Sequence, residues 1–314
     1  MIYIGIDLGG TGIKAGAVDE TGRILFKHSC PTGVERGYEA VIRDMARLGI
    51  DAAEKSGHAM KDVRAIGIGI PGIIDQRTGR VPFCTNLNWH DVPIIEEMRK
   101  YTDVPVFVDN DATVAGLAES VAGVSAGCRD SVFVTLGTGV GGGVVINGKV
   151  FSGAHGVASE IGHMTTVDNG ELCSCGNRGC WERYASATAL IREGRLLCAS
   201  KPNCALMQAV DDEPDRITAK HVIDLAKAGD PDCAALFENY VHHVVVGLRN
   251  LVNLYDPEII VLGGGVSHAG AFLLDAVRRL LPKFVFYKTM PFARVELAQL
   301  TNDAGIIGAA MLGR

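Results

Sequence analysis

The chain has 314 residues, enough for one large or two medium domains that each bury a core. Hydrophobic residues make up 47% and charged residues 21%, the balance of a globular protein, and the net charge of −6 offers no basic face to nucleic acid or an anionic membrane. A small polyanion is still admissible, because local backbone N–H groups and one lysine can hold it.

The opening MIYIGIDL lacks the basic start of a signal peptide, and no apolar run reaches the roughly 18 residues of a membrane span. The expectation is a cytoplasmic protein whose nine cysteines are reduced. Met1–Leu8, Ile13–Asp19 and Arg23–Ser29 read as three strands joined by Gly-Gly-Thr-Gly (9–12) and Glu-Thr-Gly (20–22) turns. Gly37–Ser56 carries helical apolar spacing, and Val63–Ile70 is a strand stopped by Pro71-Gly72. Ile94–Tyr101 reads as helix, Val104–Val108 as strand and Asp111–Ala122 as helix.

The order then restarts. Ser131–Leu136 is a strand, Gly137-Thr138-Gly139 a turn and Gly142–Ile146 a strand, with Asn147-Gly148 a hairpin signal before Lys149–Ser152. The pattern of residues 7–25 therefore recurs at 135–150, which suggests a duplicated pair of domains. Helices follow at about 184–199 and 218–228. A long helix opens on Asp230-Pro231, an N-cap and an N1 proline, and runs to about Leu254. The strand Glu258–Leu262 leads through Gly263-Gly264-Gly265 into another helix, and a last helix, Ala304–Leu312, is expected to pack on the first domain. The class is α/β. Domains are expected at 1–118 with 300–314 and at 119–299, with a hinge near Gly116–Gly127.

Three glycine clusters, each after an apolar strand, point to a nucleotide site. In the first, Asp7, Gly9, Gly10, Thr11 and Lys14 bring backbone amides, a hydroxyl, a cation and a carboxylate suited to Mg²⁺-bound water. The glycines open a strand and not a helix, which argues against a dinucleotide fold. A ligand-free hairpin is the plain alternative for any one cluster. Asn110-Asp111 stands where a strand becomes a helix. Asp111 there can accept a proton from a hydroxyl attacking phosphorus, or can simply cap the helix.

His163, Cys173, Cys175 and Cys180 form a closed four-ligand set of the structural-zinc kind, with a disulfide as the alternative. Glu160 and Glu182 flank that set, as fixed carboxylates for paired sugar hydroxyls or as solvated surface acids. His163 can serve twice, one ring nitrogen on the metal and the other on a sugar oxygen.

Together these segments resemble the ROK family of sugar kinases, and within it the bacterial glucokinases. They are GIDLGGTGIKAGAVDETG (5–22), Pro71-Gly72, TNLNW (85–89), DNDATVAGLAE (109–119), VTLGTGVGGGVVINGKVFSG (134–153), HGVASEIGH (155–163), CSCGNRGCWERYAS (173–186), IIVLGGGVS (259–267) and NDAGIIGAA (302–310). The resemblance covers nearly the whole chain, and the His/Cys/Cys/Cys block is its most specific part.

It implies an actin/hexokinase-like (ribonuclease H-like) fold of duplicated domains closing over a central cleft. It also implies Asp111 as catalytic base, with Asn86, Asn110, Glu160, His163 and Glu182 as hexose ligands. Asp7, Gly9, Gly10, Thr11, Lys14, Gly137, Thr138 and Gly139 would surround the phosphates of ATP and its Mg²⁺, and Gly264 and Gly265 would lie beside the adenosine. Zn²⁺ would be structural, and a homodimer or homotetramer is expected. NLNW is similar to the NLxW of glucokinases, which places glucose ahead of N-acetylmannosamine, N-acetylglucosamine, fructose or allose.

Two departures stand out: Asp109 where many relatives have Glu, and Ser159 where many have Gly. Other readings are a sugar-responsive repressor of the same family and a zinc-stapled sugar-binding protein without catalysis. The first strand begins too early to leave room for a DNA-binding module ahead of it, and the retained Asp7, Lys14 and Asp111 favour an enzyme.

Overall fold

Alternate residues of β1 (Ile2–Leu8) face two different cores. Ile2, Ile4, Ile6 and Leu8 join one cluster with Val41, Ile42, Met45 and Ala52 of helix α1 (Tyr38–Lys55), while Tyr3 joins another with Leu117 and Ile306. A strand covered on both faces reads as a continuous apolar run, and this one does. The computed structural model describes residues 1–314 and divides into two compact units. The first is Met1–Phe133, Gly143–Ser159 and Gln299–Arg314; the second is Val134–Gly142 and Glu160–Ala298.

The sheet of the first unit has the order β3-β2-β1-β4-β8. Here β2 (Gly12–Asp19) and β3 (Ile24–Pro31) form an antiparallel meander with β1, and β4 (Val63–Ile70) and β8 (Val106–Asn110) extend it in parallel. Between β4 and β8 lies a small three-stranded sheet, β5 (Ile73–Asp75), β6 (Arg80–Cys84) and β7 (Trp89–Val92), followed by the short helix α2 (Ile94–Met98). Helix α3 (Asp111–Ala122) leaves β8 directly.

A second sheet repeats the order as β11-β10-β9-β12-β13. Its strands are β9 (Ser131–Leu136), β10 (Val140–Ile146), β11 (Lys149–Val150), β12 (Ile259–Gly263) and β13 (Arg294–Leu297), the last two parallel. The duplication seen in the glycine hairpins thus extends to all five strands. The Asn147-Gly148 turn closes a two-residue hairpin, with Ile146 paired to Lys149.

The helices between β11 and β13 are α4 (Glu182–Ala185), α5 (Ala187–Ser200), α6 (Ala205–Gln208), α7 (Ala219–Lys227), α8 (Pro231–Tyr255) and α9 (Ala271–Phe284). The helix expected over 184–199 is two helices, because Ser186 is extended and its hydroxyl accepts from the Ala189 N–H, starting a new helix. Asp230 caps α8 through the Cys233 N–H at 2.8 Å, as its sequence predicts. The glycine cluster at 263–265 enters α9 only after a 3-10 turn, Gly265–Ala269.

The final helix α10 (Ala304–Met311) lies directly on β1 and β4. A Cβ on Gly5 would sit 1.9 Å from the Ile306 carbonyl oxygen, and one on Gly67 1.7 Å from that of Ala309, so both strands need glycine where the helix backbone crosses them. Glu119 of α3 is fully buried and anchors the chain's return to this helix: its Oε1 accepts from the Gln299 and Leu300 N–H groups, both at 2.8 Å. No helix is long and apolar enough to cross a membrane.

Candidate functional site

In the first unit, Asp7 is the penultimate residue of β1 and faces Lys14 across the hairpin, with Lys14 Nζ 3.2 Å from Asp7 Oδ2. The hairpin crest is shaped by Thr32, fully buried, whose hydroxyl donates to the Gly9 carbonyl at 2.7 Å and whose N–H donates to the Thr11 carbonyl at 3.2 Å. Thr11 is exposed at the crest. Gly10 abuts the TNLNW segment: a Cβ there would lie 3.2 Å from the Asn86 carbonyl oxygen.

Asn110 caps α3, its Oδ1 accepting from the Ala112 N–H at 2.9 Å, and its amide donates to the Gly72 carbonyl at 3.2 Å. Asp111 is the exposed first residue of α3, with Oδ1 2.8 Å from the same Ala112 nitrogen. Asn110 and Asp111 thus share the Ala112 N–H, and the Asp111 carboxylate lies at the positive end of the helix.

Asp109, one residue earlier, is 8% exposed, and burial pushes its carboxyl up to about 6, opposed by the Asn110 N–H. The folded state thus holds a proton more tightly than the unfolded chain does. The stability contributed by the neutral acid is full at low pH and is lost as pH rises through about 4 to 6. Asp109→Asn is expected to add about 2–3 kcal/mol near neutral pH and little near pH 4. Urea unfolding at both pH values checks this; an equal effect at both would contradict it.

The second unit carries the other glycine clusters. In the hairpin Gly137–Gly139 the Gly137 N–H donates to the Gly139 carbonyl at 3.0 Å, and α5 ties the loop down. The Ala187 N–H donates to the Gly137 carbonyl at 2.8 Å, and the Thr188 hydroxyl to the Thr138 carbonyl at 2.7 Å. Gly264 packs on the strand before this hairpin, since a Cβ would meet Leu136 backbone at 2.7 Å, and Gly265 borders open space. The second and third clusters are thus neighbours within this unit.

His163, Cys173, Cys175 and Cys180 offer ligand atoms that all lie within 4.8 Å of one another. Cys175 and Cys180 Sγ are 3.6 Å apart, as are Cys173 Sγ and His163 Nδ1. Zinc–sulfur bonds of about 2.3 Å place tetrahedral sulfurs roughly 3.8 Å apart, so the donor set and its spacing fit a zinc ion, and the three cysteines are free of disulfides. The Asn177 N–H holds the Cys175 thiol below its ordinary value, whereas burial pushes the Cys173 thiol up and the Cys180 thiol up to about 12.

Glu182 Oε1 is 3.1 Å from Cys173 Sγ and 3.9 Å from His163 Nδ1, and a Cβ on Gly139 would lie 2.6 Å from its Oε2. Glu182 therefore stands between the metal ligands and the second hairpin. Trp181 seats it: the indole is fully buried, donates to the His243 carbonyl at 2.8 Å and fills the space over Gly247 of α8. Glu160 is exposed and begins the 3-10 turn Ile161–His163, held because Gly162 lets the turn approach the Val140 carbonyl oxygen; a Cβ would be 1.9 Å away.

Ser159, before it, has φ +74°, a region that favours glycine. Relief of about 1–2 kcal/mol of strain, offset by about 0.5–1 kcal/mol of chain entropy, makes Ser159→Gly stabilising by about 0.5–1 kcal/mol. Thermal unfolding checks this, and a lowered Tm would contradict it.

Sequence reasoning missed Thr32, Thr188, Trp181 and Cys84, which shape these loops. Each acts on a backbone carbonyl or a helix distant in sequence, and leaves no local pattern.

The family model for the ROK family matches residues 3–314. A glucokinase of Streptomyces coelicolor is 38% identical over 316 residues, covering 100% of this chain and 98% of that one. The crystal structure of a ROK family glucokinase from Streptomyces griseus, in complex with glucose and AMPPNP, aligns with TM-score 0.81 at 38% identity over 99% of both chains. A xylose repressor of Caldicellulosiruptor bescii is 30% identical, and there the match spans 97% of this chain but 76% of the repressor. The likeness in structure shows the actin/hexokinase-like fold. On similarity over nearly its whole length, the chain belongs to the ROK family.

Proposed function

We propose that the protein is an ATP-dependent glucokinase, transferring the γ-phosphoryl group of ATP to the 6-hydroxyl of glucose. One observation carries this reading. In the first unit the Asn86 turn touches Gly10 of the phosphate hairpin, while Asn110 joins Asp111 to the Pro71–Gly72 turn, so acceptor and donor elements are built together. A sugar-binding protein without catalysis has no need of the exposed Asp111 or of the Asp7–Lys14 pair.

In this reading Asp111 accepts the proton of the attacking hydroxyl, and Asn86 and Asn110 orient the hexose. Glu160, His163 and Glu182, in the second unit, accept or donate hydrogen bonds to its other hydroxyls. The Gly10 and Thr11 amides and Lys14 stabilise charge on the phosphates, Asp7 holds waters of the substrate Mg²⁺, and Thr138 and Gly139 add further donors, while the Gly9 and Gly137 N–H groups close their own hairpins on the Gly12 and Gly139 carbonyls. Gly265, which borders open space, leaves room for the adenosine, and Gly264 seats that turn on the Leu136 backbone. Zinc, when bound to His163, Cys173, Cys175 and Cys180, has all four positions filled by protein, and so supplies rigidity to the loop that presents His163 and Glu182.

Glucose is favoured by the full-length similarity to glucokinases and by the NLNW segment. Coupled ADP release with Mg-ATP against glucose, N-acetylmannosamine, N-acetylglucosamine, mannose, fructose and allose tests the choice. The highest kcat/KM is expected for glucose; a higher value for another hexose keeps the chemistry and overturns the substrate.

A further inference from the structure

Cys84 closes β6 with 1% of its surface exposed, and its Sγ donates to the Pro71 carbonyl at 2.7 Å. Burial pushes the thiol up, the Asp111 carboxylate pushes in the same direction, and the Leu87 and Asn86 N–H groups oppose both. The thiol therefore stays protonated at neutral pH and remains a donor. The sulfur lies between two turns: the 3-10 turn Thr85–Leu87 that carries Asn86, and Pro71–Gly72 at the end of β4. Gly72 is pressed against it, since a Cβ there would sit 3.0 Å from Cys84 Cβ and 3.4 Å from Sγ. From the other side Asn110 donates to the Gly72 carbonyl at 3.2 Å.

We propose that Cys84 is a positioning residue of the phosphoryl-transfer site, whose thiol locks the Asn86 turn to the Pro71–Gly72 turn and, through Asn110, sets where Asp111 stands. This rests on the glucokinase reading of Asn86, Asn110 and Asp111. The thiol acts at one remove from the hexose, through the Pro71 and Gly72 carbonyls. The phosphate hairpin has its own brace in Thr32, so loss of the thiol acts on the acceptor more than on the nucleotide. A cysteine buried merely as a small apolar side chain would leave the two turns to the backbone pairing of β5, β6 and β7, which includes Cys84 with Trp89 and Ile73 with Phe83.

Cys84→Ala removes the donor, and Cys84→Ser keeps it. Steady-state kinetics with glucose and Mg-ATP, and hydrogen exchange of segments 70–73 and 84–88 by mass spectrometry, are compared for both variants and the parent. Cys84→Ala is expected to raise the glucose KM about tenfold, to lower kcat as Asp111 is misplaced, to leave the Mg-ATP KM within about twofold, and to speed exchange of both segments about tenfold. Cys84→Ser is expected to restore all of these to within about threefold of the parent. Unchanged exchange in Cys84→Ala, or a serine variant no better than alanine, overturns the proposal. If the parent phosphorylates no hexose, the glucokinase reading falls while the exchange comparison still decides the clamp.

Discussion

Asp111→Asn is expected to lower kcat about 10²–10⁴-fold while the glucose KM changes little, because an amide cannot accept the proton of the 6-hydroxyl. The fold is expected to survive the change. Helix α3 is capped by Asn110, and an asparagine at 111 still offers an oxygen to the Ala112 N–H. The isosteric variant thus separates the two roles that the sequence left open, since helix capping is preserved and the base is lost. Steady-state kinetics with circular dichroism of the same sample check it. Turnover within tenfold of the parent would show that Asp111 is not the base.

Loss of the metal is expected to be the second large effect. The parent should hold one zinc per chain by elemental analysis, and Cys180→Ser, or treatment with a strong chelator, should release it. Glu182 stands 3.1 Å from Cys173 Sγ, and His163 is itself a ligand, so unfolding of the loop misplaces two proposed hexose contacts at once. Charge-assisted hydrogen bonds are worth about 1.5–3 kcal/mol each, so the glucose KM should rise about tenfold or more, accompanied by a lower Tm. The Asp7–Lys14 hairpin belongs to the other unit, but Glu182 also abuts Gly139 of the second glycine hairpin, so the Mg-ATP KM should rise as well. A metal-free parent with full activity would contradict the zinc assignment.

Much of this architecture was legible in the chain. The continuous apolar run of β1 follows from burial on both faces, the Asn147-Gly148 turn fixes its hairpin, and Asp230-Pro231 opens α8 where caps require. The zinc ligands were readable because thiolate chemistry restricts residue type and spacing together. The small sheet of β5, β6 and β7 was not, since its strands have three to five residues and take their order from pairing with one another. Strand β8 was expected to stop at Val108 but continues to Asn110, held by parallel pairing of Asp109 and Asn110 with Gly69 and Ile70. Nothing local announces that pairing, nor the burial of Asp109 that follows from it. Thr32 and Cys84 escaped notice for a related reason, because each bonds to a carbonyl 23 or 13 residues away. Ser159 was marked as a departure, and only its positive φ explains why glycine suits the position.

The most direct test of the glucokinase reading is ³¹P NMR of a reaction holding the zinc-loaded protein, Mg-ATP and glucose. The expected result is growth of a glucose 6-phosphate resonance in step with ADP, abolished in Asp111→Asn. ADP formed with inorganic phosphate and no sugar phosphate, or no ADP at all, would contradict it.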